Sequence, residues 1–342
     1  MSGLRSLLLL LFVVACSGTK ETGETGAGSP SYALVADGLG AALFSVWGDA
    51  ADNVWAVGAN DGSGPLFLHY DGSGWERIDT SGLSHDFWWV WGQGDALFVG
   101  GSKGHMVRYT PSTGELTDTV IGDPALTFFG VWGADTDDIW AVAGDPTNEV
   151  SGAIFHYDGT DWTPSAEAPP SDGGGVRAAF KVWGSGSSDV WVVGTSGLIM
   201  RWDGAGWSTN PSPLGSASFT TVHGRDSEVY AVGGFGNAQV MRLEGGQWVD
   251  DSPPIKTFPP LLIGVNVSGI IDPVGVGNNG ALWWRRTSGW EADTRIPVTT
   301  SSYHGVWVDP DGGVWAVGGD LTMLSYGVVM YDGPATVASY ER

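Results

Sequence analysis

The chain has 342 residues, 55 of them glycine and 19 tryptophan, with 38 acidic side chains against 15 basic ones. Each glycine costs a helix interior about 1 kcal/mol relative to alanine, so a helical bundle is disfavoured, while the valines, aromatics and turn residues suit short strands. A formal charge of -23 argues against a nucleic-acid partner, because phosphates are bound by clustered Lys and Arg. Hydrophobic residues at 42% are too many for a disordered acidic chain.

Residues 1–15 read as an export leader: Arg5 precedes the apolar run Leu7 to Ala15, far short of the ~20 residues that span a bilayer. The run ends Val13-Val14-Ala15-Cys16, and Cys16 is the only cysteine, so no internal disulfide forms. This segment resembles the bacterial lipobox, which implies cleavage before Cys16, lipidation there and a membrane anchor at the cell envelope. Several acyl chains at ~0.8 kcal/mol per buried CH₂ suffice for stable anchoring. Ser17 after the cysteine resembles lipoproteins sent on to the outer membrane. Residues 16–31 lack a large apolar side chain beyond the cysteine and are expected to form a flexible linker.

Residues 32–342 repeat one pattern. Val46-Trp47-Gly48 is followed, after a few mostly polar residues, by Val54-Trp55-Ala56-Val57-Gly58. The first anchor recurs as Trp47, Trp91, Trp132, Trp183, His223, Asn266 and Trp307, and the second as Trp55, Phe98, Trp140, Trp191, Tyr230, Val274 and Trp315. A third follows the form Tyr70-Asp71-Gly72 to Trp75, again at Tyr157 to Trp162 and Trp202 to Trp207, with weaker versions ending at Trp248 and Trp290. The spacing averages about 43 residues, the period of four-stranded propeller blades rather than of helical arrays. Each copy therefore reads as strands a to d with an Asp-Gly hairpin between c and d. The expected fold is all-β, a seven-bladed β-propeller with four-stranded antiparallel blades.

Closure is predicted from register. The seventh copy ends at Tyr331-Asp332-Gly333 with no third tryptophan, while Tyr32 stands one third-anchor spacing ahead of Trp47. The segment from Tyr32 is expected to supply strand d of the last blade, paired near Val328 to Tyr331, in preference to Thr336–Tyr340. Over residues 32–333 the repeats resemble the Val-Trp-Gly/Asp-Val-Trp-Ala-Val-Gly propeller lipoproteins of myxobacterial type. Few of those have an assigned activity, so the resemblance implies a fold and an envelope location.

No phosphate loop, HExxH, paired-cysteine site or dinucleotide fingerprint is present, so no cofactor, metal or catalytic residue is expected. His69 and His156 precede Tyr-Asp-Gly in a slot held elsewhere by Arg108, Arg201, Arg242 and Met330, which reads as scaffold stacked on an aromatic or paired with an acid. Asn53, Asp138, Asp189 and Glu228 precede the second anchor and read as turn residues bonding their own backbone. The acidic loops 135–138 and 309–312 read as turns rather than calcium sites. The anchor tryptophans read as packing between blades.

The b–c and d–a loops vary in length at one end of the disc, with the long segments Gly144–Gly152, Thr163–Arg177 and Gly318–Gly327, whereas the other end is uniform. Recognition on a rigid repeat usually sits in such loops. Candidate partner-binding residues are Asp145, Asn148, Glu149 and Asp172, with Trp88 as an exposed aromatic. His223 and Asn266, where the first-anchor tryptophan is replaced, are candidates for one wall of the channel mouth, against the reading that they are drift at a half-exposed rim position. The expected function is an anchored envelope module that binds or scaffolds a protein or glycan partner without catalysis. The rivals are a glycan-active hydrolase or lyase, which needs convergent acids in the mouth, and a structural subunit of an envelope assembly complex.

Overall fold

Each copy folds as its alternation of valine, tryptophan and glycine requires, because β-branched and aromatic side chains suit a pleated, buried surface. The computed structural model describes residues 31–145, 150–254 and 261–340. Cys16, Asn148 and Glu149 lie outside these described residues.

The first strand is β1 (Ser31–Leu39). Blade one holds β2 (Leu43–Ala50), β3 (Asn53–Asn60), β4 (Pro65–Tyr70) and β5 (Trp75–Arg77). Blade two holds β6 (Phe87–Gln93), β7 (Ala96–Gly101), β8 (His105–Thr110) and β9 (Glu115–Val120). Blade three holds β10 (Thr127–Asp135), β11 (Asp138–Asp145), β12 (Val150–Tyr157) and β13 (Trp162–Glu167). Blade four holds β14 (Ala179–Gly186), β15 (Asp189–Gly194), β16 (Ile199–Trp202) and β17 (Trp207–Thr209). Blade five holds β18 (Phe219–Arg225), β19 (Glu228–Gly233), β20 (Gln239–Glu244) and β21 (Gln247–Asp250). Blade six holds β22 (Leu262–Asn266), β23 (Val274–Gly277), β24 (Leu282–Arg286) and β25 (Gly289–Ala292). Blade seven holds β26 (Ser302–Val308), β27 (Val314–Asp320) and β28 (Ser325–Gly333). Its fourth strand is β1, in the order β1-β28-β27-β26. The expected seven-bladed, four-stranded antiparallel propeller is the fold, closed by the N-terminal strand.

The closing register places Ser31 opposite Gly333 and Leu34 opposite Met330. Residues 336–340 form no strand. They run along the outer edge of β1, where the Tyr340 amide donates to the Val35 carbonyl at 2.7 Å, and reach blade one, where Trp75 Nε1 donates to the Ala338 carbonyl at 3.1 Å. The a–b and c–d turns share one end of the disc, here the upper face, and Ser31 enters at that end because Gly333 closes strand c there. The b–c and d–a loops form the lower face.

Two layers of aromatic packing join the blades. On the inner strands, each first-anchor tryptophan reaches over the glycine that follows the anchor in the next blade. A Cβ on Gly92 would stand 2.8 Å from Trp47, on Gly133 2.6 Å from Trp91, on Gly184 2.6 Å from Trp132, and on Gly48 2.6 Å from Trp307. Farther out, each second anchor packs under aromatic residues of the following blade. Trp162 meets Phe98 at 6.4 Å, Trp207 meets Trp140 at 5.2 Å, Trp248 meets Trp191 at 5.3 Å and Trp290 meets Tyr230 at 5.5 Å between ring centroids. Trp75 of blade one meets Trp315 of blade seven at 5.9 Å, so the same joint runs across the closure. Burial of each such ring contributes on the order of 3 kcal/mol before ordering costs.

Within a blade, the histidine or arginine of strand c lies on the second anchor and ties to the residue before it. His69 stacks on Trp55 at 3.8 Å with Nε2 2.8 Å from Asn53 Oδ1, and His156 Nε2 lies 2.7 Å from Asp138 Oδ1 beside Trp140. Arg201 donates to Asp189 at 2.8 Å over Trp191. The scaffold reading of this slot holds, with two corrections. Asn53, Asp138 and Asp189 serve these cross-strand partners rather than their own backbone, because strand c sets an imidazole or guanidinium nitrogen 2.8, 2.7 and 2.8 Å from them. In blade seven the slot is filled by Tyr331, not Met330: Tyr331 pairs with Trp315 because the strand continues straight to Gly333 without an Asp-Gly hairpin.

Candidate functional site

The inner strands converge on a cavity of about 550 Å³ that opens at the upper face. Around it stand the seven first anchors, five indoles and then His223 and Asn266 on neighbouring strands β18 and β22. His223 and Asn266 therefore do form one wall of the mouth, as their substitution pattern implied. The lining reaches down to Trp89 and Thr221 and carries Asp49, Arg225 and Ser268 near the rim.

Glycine at the next position is tied to the anchor before it. After each tryptophan anchor the following blade has glycine, at 48, 92, 133, 184 and 224, but after His223 it has Val267 and after Asn266 it has Val308. The smaller anchors leave room for a branched side chain. His223 uses that room differently from an indole, its Nδ1 accepting from the Val267 amide at 3.0 Å. The ring proton therefore sits on Nε2, and burial pushes the imidazole down to about 4, so it is neutral at neutral pH. Arg225 donates to the Ser268 carbonyl, Asp49 accepts from Asn53 at 2.7 Å and Thr221 donates to the Ile263 carbonyl at 2.7 Å. What the mouth offers is an apolar aromatic arc broken by one polar gap that carries donors.

The lower end of the channel is closed by rings from the bulge that starts each inner strand. Phe44 stacks on Trp88 at 4.2 Å, Trp88 meets Phe129 at 5.0 Å, Phe129 meets Phe180 at 5.2 Å, and His304 of blade seven approaches Trp88 of blade two at 6.3 Å. That last contact joins blades that are not neighbours, so the cluster lies close to the axis. Trp88 is thus a half-buried plug residue and not an exposed aromatic, because the bulge turns it inward. Between the plug and the cavity floor Lys181 is buried, with Nζ 2.6 Å from the Phe129 carbonyl and 3.2 Å from the Trp89 ring centre, and burial holds its amine well below the ordinary lysine range. His304 is lowered to about 4 by burial and by Lys181, with Nδ1 2.6 Å from the Phe44 carbonyl. The signal for this layer was in the sequence, a large side chain three residues before most first anchors.

The remaining candidates lie on the lower face and do not meet His223 or Asn266. Asp145 ends β11 and is partly buried, and Asp172 is exposed beside Arg177 in a groove of about 610 Å³ between blades three and four. The same face exposes Phe235, Ile296 and Met323.

No family model matches the sequence, and no curated protein matches it. Solved structures do resemble it. Virginiamycin B lyase from Staphylococcus aureus has 13% identity and a TM-score of 0.69, covering 89% of this chain and 99% of that one. YCF48 bound to D1 peptide has 14% identity and a TM-score of 0.61, covering 91% and 96%. The WD40 propeller domain of Doa1 has 11% identity and a TM-score of 0.65, covering 89% and 97%. At such identities the likeness is one of fold.

Proposed function

We propose that the chain is a recognition module, tethered to the bacterial envelope through Cys16, that binds an extended peptide segment of a protein partner in the indole-lined mouth. The observation that carries this reading is the interrupted ring: five tryptophans on one side and His223, Asn266 and Arg225 on the other. An apolar side chain of the ligand would lie against the indoles while its carbonyl or carboxylate groups meet the Nε2–H, amide and guanidinium donors. A sugar needs an indole face open for stacking, whereas each of these indoles lays its Cη2–Cζ3 edge over the next blade's glycine and leaves only part of its surface to a ligand's apolar side chain. YCF48 bound to D1 peptide is an example of a peptide complex of a protein with this fold.

A lyase or hydrolase reading draws on the similarity to virginiamycin B lyase. The titratable groups of the mouth favour binding instead, since Asp49, His223 and Arg225 are each held by a structural hydrogen bond. Peptide and glycan arrays probed with the purified chain are expected to return peptides. Arg225→Glu, at an exposed side chain, should weaken the best of them about tenfold, with a loss of melting temperature no larger than its bond to the Ser268 carbonyl accounts for. Glycans alone on the array, or turnover on a panel of glycosidase and lyase substrates, would overturn the reading. Mass spectrometry of the chain from bacterial membranes should find acyl chains on Cys16, and an unmodified cysteine removes the tether.

A further inference from the structure

Blade two carries a cluster on the lower face that the peptide-binding reading does not use. His85 precedes β6, His105 opens β8, and Asp118 lies on β9. The two imidazoles stack at 4.0 Å with 14° between their planes. His105 Nδ1 lies 2.9 Å from Asp118 Oδ1, and His85 Nε2 lies 3.8 Å from the same oxygen. All three donor atoms fall within 4.8 Å of one another.

His85 is the informative member. It is 2% exposed, yet its Nε2 has no hydrogen-bond partner. A buried polar atom in that state destabilises the fold unless something satisfies it. Its position is nonetheless fixed on both sides: Lys103 Nζ donates to the Ser84 carbonyl at 2.8 Å, the Asp86 amide donates to Ser102 Oγ at 2.9 Å, and the Ser102 amide donates to the Asp86 carbonyl at 3.0 Å. Gly101 makes room for the ring, since a Cβ there would stand 2.8 Å from His85 Cδ2. The chain thus holds a buried imidazole whose Nε2 is unpartnered beside a carboxylate and a second imidazole.

We propose that His85, His105 and Asp118 bind one divalent first-row transition ion of the zinc type through His85 Nε2, His105 Nδ1 and a carboxylate oxygen of Asp118. Ligand atoms around a tetrahedral zinc lie about 3.3 Å apart, so the 2.9 and 3.8 Å separations from Asp118 Oδ1 are close to that spacing, while the stacked imidazoles must turn out of parallel for both lone pairs to meet at one ion. Two imidazoles and one carboxylate suit zinc, iron or cobalt rather than calcium or magnesium, which prefer oxygen alone. His105 Nδ1 is hydrogen-bonded to the Asp118 carboxylate at 2.9 Å, and ion binding requires the ring proton to sit on Nε2. Three protein ligands leave a position open to water or a partner's side chain, as His105 and Asp118 are only partly buried.

The test uses the full chain after chelator treatment, with Zn²⁺ in equilibrium dialysis and Co²⁺ in absorption spectroscopy. The expected result is one ion per chain, nitrogen-ligated Co²⁺ d–d bands, and a higher melting temperature with Zn²⁺. Asp118→Asn and His105→Ala should each weaken uptake at least tenfold, in line with the cost of losing a metal-site group. Asp138→Asn, which breaks a His–Asp pair in blade three, should leave uptake unchanged. If His85→Ala fails to fold, the two partly exposed positions still decide the matter. Absence of stoichiometric uptake, or uptake that Asp118→Asn and His105→Ala leave intact, would overturn the site.

Discussion

At Gly133 a Cβ would stand 2.6 Å from Trp91 of the preceding blade. Overpacking of this kind costs about 1–3 kcal/mol, and valine costs more than alanine because it is branched. Gly133→Val alone should therefore lower the melting temperature by several degrees, while the pair Trp91→His with Gly133→Val reproduces the His223–Val267 joint and loses less than the two single changes added together. A double-mutant cycle in urea checks this, with a coupling of about 1 kcal/mol or more expected and strict additivity excluding the rule. The glycine was legible from the sequence as part of a motif. Its reason was not, because the constraint comes from a residue one blade earlier. The same limit hid the plug, where a β-bulge turns Phe44, Trp88 and Phe129 toward the axis. Histidine burial yields a second prediction. His85, His223 and His304 are each lowered from 6.5 to about 4, so the folded state refuses protons that the unfolded chain accepts. The histidine contribution should be complete above pH 6.5 and fall as pH drops from there toward 4, Lys181 adds a slope of the same sign at higher pH, and the hydrogen-bonded carboxylates Asp71 and Asp293, at about 2, act only below the histidine window. His223→Gln should flatten the slope of unfolding free energy against pH by about a third.

Strand β1 is the element on which closure depends. It buries Val35, Ala36 and Leu39 and supplies the outer strand of blade seven. Removing residues 30–38 should lower the melting temperature by at least several degrees and expose the edge of β28 to association with other chains, read by calorimetry and light scattering. Truncation after Pro334 should cost less, since it removes the Tyr340–Val35 and Trp75–Ala338 bonds but leaves the sheet paired. A larger loss from the shorter tail cut would reverse this ranking. The order of strands and the donor of the last one were readable because Tyr32 kept the spacing of a third anchor. The register of β28 was not, since Tyr331-Asp332-Gly333 copies the hairpin motif yet runs on as strand.

As a ring, the molecule distributes its variation unevenly. The repeats announced seven blades and which two lacked a tryptophan, and those two blades do form the polar gap of the mouth. Position around the axis was beyond the sequence, because His85, His105 and Asp118 lie apart in the chain with no common motif and meet only when blade two folds. The N-terminal entry carries a geometric corollary. Ser31 sits at the same end of the disc as the indole mouth. Acylation of Cys16, as proposed, leaves 15 residues between lipid and barrel-like body, a contour of at most about 50 Å. Such a leash keeps the open cup within reach of the bilayer surface, and restricts its captures to chains that emerge from, or lie upon, the same leaflet.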